Sequence, residues 1–302
     1  MQNESAYEQL VIAKNAANGH GFEMAWPYEP VDSNKIALLQ ADPTPYPSAF
    51  MPPFMPALFT IAYSIFGIGT SAVYSVLILQ CLLGALIPFY VYHIASRFGT
   101  QDQALIASSV SLLYLPGLIS SATPAGAVFY GLFGLVAIDL AMRVTEKHAN
   151  AWLLGVTLGL LSLMRSEFLL IGILVGCLPL LKRNWRVVLR TLFAMTLIIS
   201  PWLIRNAIVF QQPVGIITHP WREIWRGAND NASGSSYDAD GWNIWEGERF
   251  PHLVSRLDTI TLDRSFELNA DKVFKDEAVT YIKHNPLHWS VLSSTILNRS
   301  VQ

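Results

Sequence analysis

Charged residues are scarce in this 302-residue chain: they make up 14% of it, against 52% hydrophobic residues, and the mean hydropathy is +0.36. Soluble domains carry about 25% charged residues. The shortage is uneven. No Asp, Glu, Lys or Arg occurs between Asp42 and Arg97, a gap of 54 residues, and a second gap of 36 runs through 103–138. A soluble fold cannot keep such stretches off its surface, whereas a bilayer span needs roughly 20 apolar residues. From Arg205 onward the character reverses, with 22 charged residues among the last 98. The net charge of -2 says nothing about partners, and no basic cluster points to nucleic acid, which is not expected as a partner.

Cysteine is nearly absent too. Cys81 and Cys177 both fall inside apolar segments, which argues for buried thiols and against a disulfide or metal framework. The first 32 residues are polar and contain no secretory h-region. There is no Gly-rich phosphate loop, zinc spacing, serine-hydrolase elbow or internal repeat. The histidines do not fall at ligand spacing, and many glycines lie inside apolar runs, as helix packing in membranes requires.

What is present is a series of apolar runs. Spans are expected at about 71–96, 103–120, 124–142, 151–164, 168–181 and 187–204, preceded by a short proline-rich interfacial helix over 53–66. Lys and Arg near span ends set orientation. If residues 1–52 lie outside, Arg97, Arg143, Lys147, Lys182, Arg183, Arg186 and Arg190 collect inside, opposed only by Asp102 and Glu146; the reverse topology would export all seven. Residues 1–52 and 205–302 then both face the external side. A polar leading segment without an anchor before it, and a tail closing on the weakly apolar 286–297, lead to the expectation of a chain truncated before further spans. The fold expected is an all-α polytopic membrane protein, a helix bundle with juxtamembrane helices and a small external C-terminal region.

Four features carry chemistry. Arg165 and Glu167 separate two apolar pieces of 14 residues each, about 21 Å long, so this turn lies below the outer surface. Charge at that depth faces a cavity or a partner; a solvated hairpin turn is the plain alternative. Asp139, near the inner end of its span, has the character of a structural charge. At the last boundary, Pro201-Trp202-Leu203-Ile204-Arg205-Asn206 offers an arginine suited to phosphate, or an interfacial Trp beside a snorkelling Arg. In the tail, Trp221, Trp225, Trp242 and Trp245 interleave with Asn229, Asp230, Asp238 and Asp240. Aromatic faces beside carboxylates and amides suit sugar rings, or equally the packing of a small domain. Among the leading carboxylates, one external Glu beside a membrane cavity can serve as a general base, and most others are surface charges.

The order of several short motifs goes further. Asn15-Ala16-Ala17-Asn18-Gly19-His20-Gly21-Phe22 precedes Pro47-Ser48-Ala49-Phe50-Met51-Pro52-Pro53-Phe54-Met55-Pro56, followed by Phe66-Gly67, Gln80-Cys81-Leu82-Leu83-Gly84 and Tyr92-His93-Ile94-Ala95-Ser96-Arg97-Phe98-Gly99. Gly155-Val156-Thr157-Leu158-Gly159-Leu160, Leu163-Met164-Arg165 and the Pro201–Asn206 run complete the series. Over nearly the whole chain this resembles the GT-C membrane glycosyltransferases of the protein-mannosyltransferase and aminoarabinose-transferase superfamily.

The resemblance implies transfer of a sugar from a polyprenyl-phosphate carrier to a lipid, glycan or protein acceptor, on the external face of a cell membrane such as the bacterial inner membrane. It assigns the acidic role to Glu4 or Glu8, the donor phosphate to Arg205 with Arg165 as second candidate, and sugar or acceptor contacts to Trp221, Trp225, Asn229 and Asp230. A divalent metal is compatible with it. Three positions depart from the family pattern. The acid is Glu where Asp is usual, Met51 stands where aminoarabinose transferases carry Lys, and Thr123-Pro124 replaces a Thr-Glu pair. A transporter or flippase-like component, or an inactive glycan-binding homologue, are the competing readings.

Overall fold

The computed structural model describes residues 8–24, 45–145, 150–230, 232 and 250–286. The chain divides into two compact units, one of Met1–Gly21 with Met51–Ile216 and one of Phe22–Phe50 with Ile217–Gln302. The leading polar stretch, expected as one segment over 1–52, is therefore shared between them.

The first unit is wholly helical among its described residues: α1 (Glu8–Ala17), α2 (Phe54–Phe66), α3 (Thr70–Gly84), α4 (Ile87–Ala95), α5 (Gln101–Leu112), α6 (Leu115–Ser121), α7 (Ala127–Thr145), α8 (Ala151–Met164), α9 (Phe168–Cys177, extended by a 3-10 turn Leu178–Lys182) and α10 (Trp185–Phe210). Three stretches are long and apolar enough to cross a membrane: Thr70–Ala95, Ala127–Val144 and Trp185–Phe210. The bent pair α5–α6 makes a fourth if taken as one span, while α2, α8 and α9 are shorter apolar helices. Ile78, Leu82, Phe89, Leu105, Ile106, Leu170, Leu174, Phe193 and Leu197 all stand exposed. Apolar surface so extensive needs an apolar surrounding.

The expected span over 103–120 differs from a straight helix. Thr100 and Gln103 open α5 with a reciprocal capping box, but α5 and α6 meet at 52°. Pro116 explains the break, because its ring would clash with the carbonyl four residues back and it offers no N–H. In α10, Pro201 likewise removes the donor for the Leu197 carbonyl, and the Ser200 hydroxyl donates to that oxygen instead at 3.1 Å. The helix therefore runs on without a break.

The core of this unit is the contact between α8 and α10, which run parallel. Thr191 Oγ1 donates to the Ala151 carbonyl at 3.2 Å. A Cβ on Gly155 would sit 2.2 Å from the Thr191 carbonyl oxygen, and one on Gly159 would sit 2.8 Å from Ile198 Cβ. Two glycines four residues apart let the backbones approach to a distance no side chain permits. The antiparallel α9 repeats the device, with Gly172 against Met195 and Leu158 and Gly176 against Leu192 and Thr191.

At the end of the bundle where α7 finishes, Asp139 is buried and clamped between helices. Arg97 reaches one oxygen at 2.9 Å and Arg143 the other at 2.8 Å, while His93 Nε2 lies 2.8 Å from Arg143. Asp139 thus ties α7 to the chain just after α4, the structural role its place in the sequence predicts.

The second unit pairs β1 (Glu23–Met24) with β2 (Tyr46–Pro47), antiparallel, and adds α11 (Pro220–Arg226), α12 (Pro251–Asp258) and α13 (Phe266–His284). Phe266, Ala270, Phe274 and Ala278 form one buried stripe of α13, with four-residue spacing as on an amphipathic helix. Trp225 packs edge-on to Phe250 and tilted against Phe274, at 4.9 and 5.2 Å. Glu267, fully buried beside this stripe, accepts the Ala49 N–H at 3.0 Å and the Thr218 hydroxyl, while Thr218 N–H donates to the Ala49 carbonyl at 3.1 Å. One carboxylate thereby joins two segments far apart in sequence.

The glycine contact makes a sharp prediction. Gly155→Ala forces its methyl into backbone and is expected to lower the thermal midpoint of the detergent-solubilised protein, a cost of about 1–3 kcal/mol. Gly134→Ala, whose Cβ meets nothing within 4 Å, is the control. Equal midpoints for the two variants would refute close α8–α10 packing.

Candidate functional site

The end of the first unit where α7 begins gathers polar side chains from several helices. The chain between α6 and α7 is not helical, so its carbonyls need donors from elsewhere. Two glutamines supply them. Gln80, fully buried on α3, donates to the Thr123 carbonyl at 3.0 Å and weakly to that of Ser120 at 3.4 Å. Gln9, buried on α1, donates to the Pro124 carbonyl. Helix α1 itself buries Leu10, Val11, Ile12 and Ala13 and lies along α2. Glu8, the first residue of α1, is half-buried.

A turn and a half beyond the loop, Tyr130 on α7 meets the α8–α9 junction. Arg165 ends α8 in an extended conformation, and its guanidinium stands 5.4 Å over the Tyr130 ring. Both ends of the guanidinium reach Glu167, at 2.7 and 3.4 Å. Tyr130 also leans on Phe168 at 6.0 Å, and Phe54 of α2 on Phe129 at 5.5 Å. Arg165 and Glu167 both stand exposed at the surface of the bundle.

Arg205 belongs to the same end of the bundle. Ala151 lies beside Thr191, Gly155 beside Ala194 and Gly159 beside Ile198. That parallel register, continued for about a turn and a half, brings the last residues of α8 level with the Trp202–Asn206 stretch. Arg205 stacks on Trp202 at 4.9 Å, lies 5.8 Å over Phe210, and donates to Asn206 Oδ1 at 3.1 Å. Asn206 is fully buried and donates to the Gly215 carbonyl at 2.7 Å; the Trp202 indole donates to Ile216 at 2.8 Å. Trp202 is thus a buried pin that folds the chain back after α10. The alternative of a free interfacial anchor does not fit its burial.

The remaining predicted residues separate. Glu4, and in the tail Trp242, Trp245, Asp238 and Asp240, lie outside the described residues. In the second unit Trp225 and Asn229 are core residues, the latter donating to the Trp225 and Arg226 carbonyls at 2.9 and 3.3 Å. Asp230 is exposed. Trp221 is half-buried, with the Lys275 ammonium 5.3 Å over its ring. Among the described residues no group of three or more His, Cys, Asp or Glu side chains stands ready to hold a metal ion.

Three second-unit residues carry no motif and escape sequence reading. His219 stacks on Phe50 at 4.2 Å, with Arg222 5.1 Å over the same ring. Burial, then the Arg222 and Arg226 charges, lower His219 to about 3. Asp271 accepts the Trp221 and Arg222 backbone N–H groups at 2.9 and 3.1 Å, capping α11 from α13. Its burial pushes it up to about 6 against those hydrogen bonds and Lys275. Asp271 and Glu267 share one face of α13 at four-residue spacing, a signal that the sequence does carry.

Comparison with family models, curated proteins and solved structures returns no match to this chain.

The two shifted groups predict opposing pH slopes. His219, depressed from 6.5, contributes stability present above pH 6.5 and lost as pH falls toward about 3. Asp271, raised from 3.8, contributes stability present below about 3.8 and lost as pH rises through about 6. Asp271→Asn is therefore expected to steepen the loss of stability on acidification below pH 6.5, and His219→Gln to reverse the slope between pH 4 and 6. Denaturant unfolding followed by Trp fluorescence across pH 3.5–7 reads both. Parallel pH profiles for the two variants would refute this assignment.

Proposed function

We propose that the chain is a multi-pass membrane glycosyltransferase, with residues 1–52 and 205–302 on the external side, that moves a sugar from a polyprenyl-phosphate carrier to an acceptor hydroxyl. The observation that carries the proposal is the placement, toward one end of an apolar bundle, of a helix that opens on Glu8 and of two arginines held on aromatic rings. The order of motifs shared with the GT-C transferases supports it. So does the distribution of charge, because Arg97, Arg143, Arg183, Arg186 and Arg190 lie toward the other end and positive residues favour the cytoplasmic side.

The mechanism follows from those groups. The acceptor hydroxyl attacks the anomeric carbon of the donor and breaks its bond to the phosphate oxygen, while the Glu8 carboxylate, or Glu4, takes the hydroxyl proton. The polyprenyl phosphate leaves with the bonding electrons and an added negative charge. Arg205 and Arg165 stabilise that charge, since a guanidinium matches phosphate with two parallel hydrogen bonds. An anion reaching Arg165 must compete with Glu167, and an exposed pair of this kind is worth only about 0–1 kcal/mol. The apolar faces between helices accommodate the polyprenyl tail. Trp221 and Asp230 are the tail residues left to meet a sugar or acceptor.

The test supplies membranes containing the chain with radiolabelled polyprenyl-phosphate sugars and follows label leaving the carrier. Wild type is expected to release label. Arg205→Ala, and one of Glu8→Ala and Glu4→Ala, are expected to reduce release at least 100-fold, the range spanned by loss of an electrostatic stabiliser or a general base. An inserted, folded wild type that releases no label from any donor would sink the transferase reading and favour a carrier-lipid transporter or an inactive homologue.

A further inference from the structure

At the opposite end of the first unit from Arg165, the chain turns from α9 into α10 through Arg183, a non-glycine residue in the left-handed region with φ 53. Within two turns it presents Arg183, Arg186 and Arg190, all exposed. None of the three pairs with a described carboxylate. The contrast with Arg97 and Arg143 is direct, since those two share the Asp139 carboxylate. Helix stability does not account for the cluster. The first turn of α10 holds no acidic residue, and cations there oppose the positive end of the helix dipole, where carboxylates would be favourable. Some other interaction must compensate three like charges set so close.

The surroundings say what kind. Trp185 is exposed beside Arg186, whose guanidinium lies 5.9 Å over its ring. Leu178, Leu180 and Leu181 of the 3-10 turn are exposed, Leu181 at 85%. Up the helix from Arg186 and Arg190, Leu189, Phe193 and Leu197 form an exposed apolar row with four-residue spacing. A cationic rim therefore adjoins an apolar track on a helix of membrane-spanning length, with a Trp at the junction. The complementary molecule is an amphiphile with an anionic phosphate head and apolar chains.

We propose that Arg183, Arg186 and Arg190, with Trp185, form a binding site for anionic phospholipid headgroups, the acyl chains lying along Leu189, Phe193 and Leu197. The guanidinium groups hold the phosphate oxygens, and Trp185 sits at headgroup depth. The site lies at the other end of the bundle from the proposed sugar transfer and uses none of the residues given a role in that step, so either can fail without the other. It fixes the depth of α10, and through the glycine contacts also that of α8.

The experiment titrates the full chain in nonionic detergent with short-chain phosphatidylglycerol, short-chain phosphatidylcholine or inorganic phosphate, reading bound lipid by native mass spectrometry and stability by thermal midpoint. Phosphatidylglycerol is expected to bind and raise the midpoint, and the other two to do neither. Arg183→Gln/Arg186→Gln/Arg190→Gln is expected to bind phosphatidylglycerol roughly 100-fold more weakly, from about a tenfold loss per 1.4 kcal/mol and about 1 kcal/mol per basic residue. The triple Lys variant, which keeps the charge, is expected to retain most of the binding. If the Gln variant fails to fold, the Lys variant and a Trp185→Leu variant carry the comparison. Undiminished binding in the Gln variant, or in its absence loss of binding by the Lys variant, overturns the site. An equal response to inorganic phosphate overturns the lipid as its source, and an equal response to phosphatidylcholine overturns recognition of charge.

Discussion

The close approach of α8 and α10 is the constraint on which the first unit depends. Helices in an apolar surrounding gain nothing from hiding one apolar face from another, so association must come from contact at short range. Gly155 and Gly159 supply it by letting the Thr191 carbonyl and Ile198 lie where side chains would stand. With those two helices fixed in parallel register, the ends of α8 and α10 fall at one level, which sets Arg165 and Arg205 on the same side of the bundle. Helix α9 must then return antiparallel through the remaining space, and its own glycines make that fit. The phosphate-facing chemistry proposed for these arginines is thus a consequence of backbone geometry one to three turns away.

A second constraint is the cost of open backbone at membrane depth. At several places in this unit a side chain serves backbone carbonyls. Ser200 serves the Leu197 carbonyl orphaned by Pro201, and Ser108 donates to the Pro88 carbonyl at 2.8 Å. Gln9 and Gln80 converge from two helices on the loop between α6 and α7. These two glutamines differ from the others because the loop they serve leads directly to Tyr130. Their polarity is structural, yet it decides where an aromatic face for Arg165 is presented.

The apolar helices were legible in the sequence to within a few residues, because long charge-free runs and flanking arginines mark them. The bend at Pro116 was also present in the sequence, but a run of apolar residues masks a single proline when hydropathy is averaged. The second unit was much less legible. Its two segments are joined by Glu267 through Ala49 and Thr218, contacts that no local pattern encodes. Composition likewise cannot distinguish a tryptophan that faces a sugar from one enclosed by Phe250 and Phe274, so Trp221 and Trp225 look alike until packing separates them. The pairing of Arg165 with Glu167 could be expected from their spacing. The ring beneath Arg165 could not, since Tyr130 reads as one more residue of an apolar helix.

Asp139 and Glu167 show how one interaction type serves two ends. Each carboxylate holds arginine at under 3 Å. Asp139 is buried and shared by Arg97 and Arg143, so removing the carboxylate would leave two like charges facing each other in a poorly solvated place, at a cost of about 3–5 kcal/mol. That cluster resists exchange and behaves as a strut. Glu167 and Arg165 are exposed, and where water reaches such a pair it screens both the attraction and the cost of separation. Such a pair keeps the guanidinium in place over Tyr130 but yields to a stronger anion. The departing polyprenyl phosphate, a monoester, carries more charge than a carboxylate and offers more acceptor oxygens, so under the proposed function exchange is easier at Arg165 than at buried Asp139. Burial, more than distance, separates the arginine proposed to bind phosphate from the arginines that hold helices together.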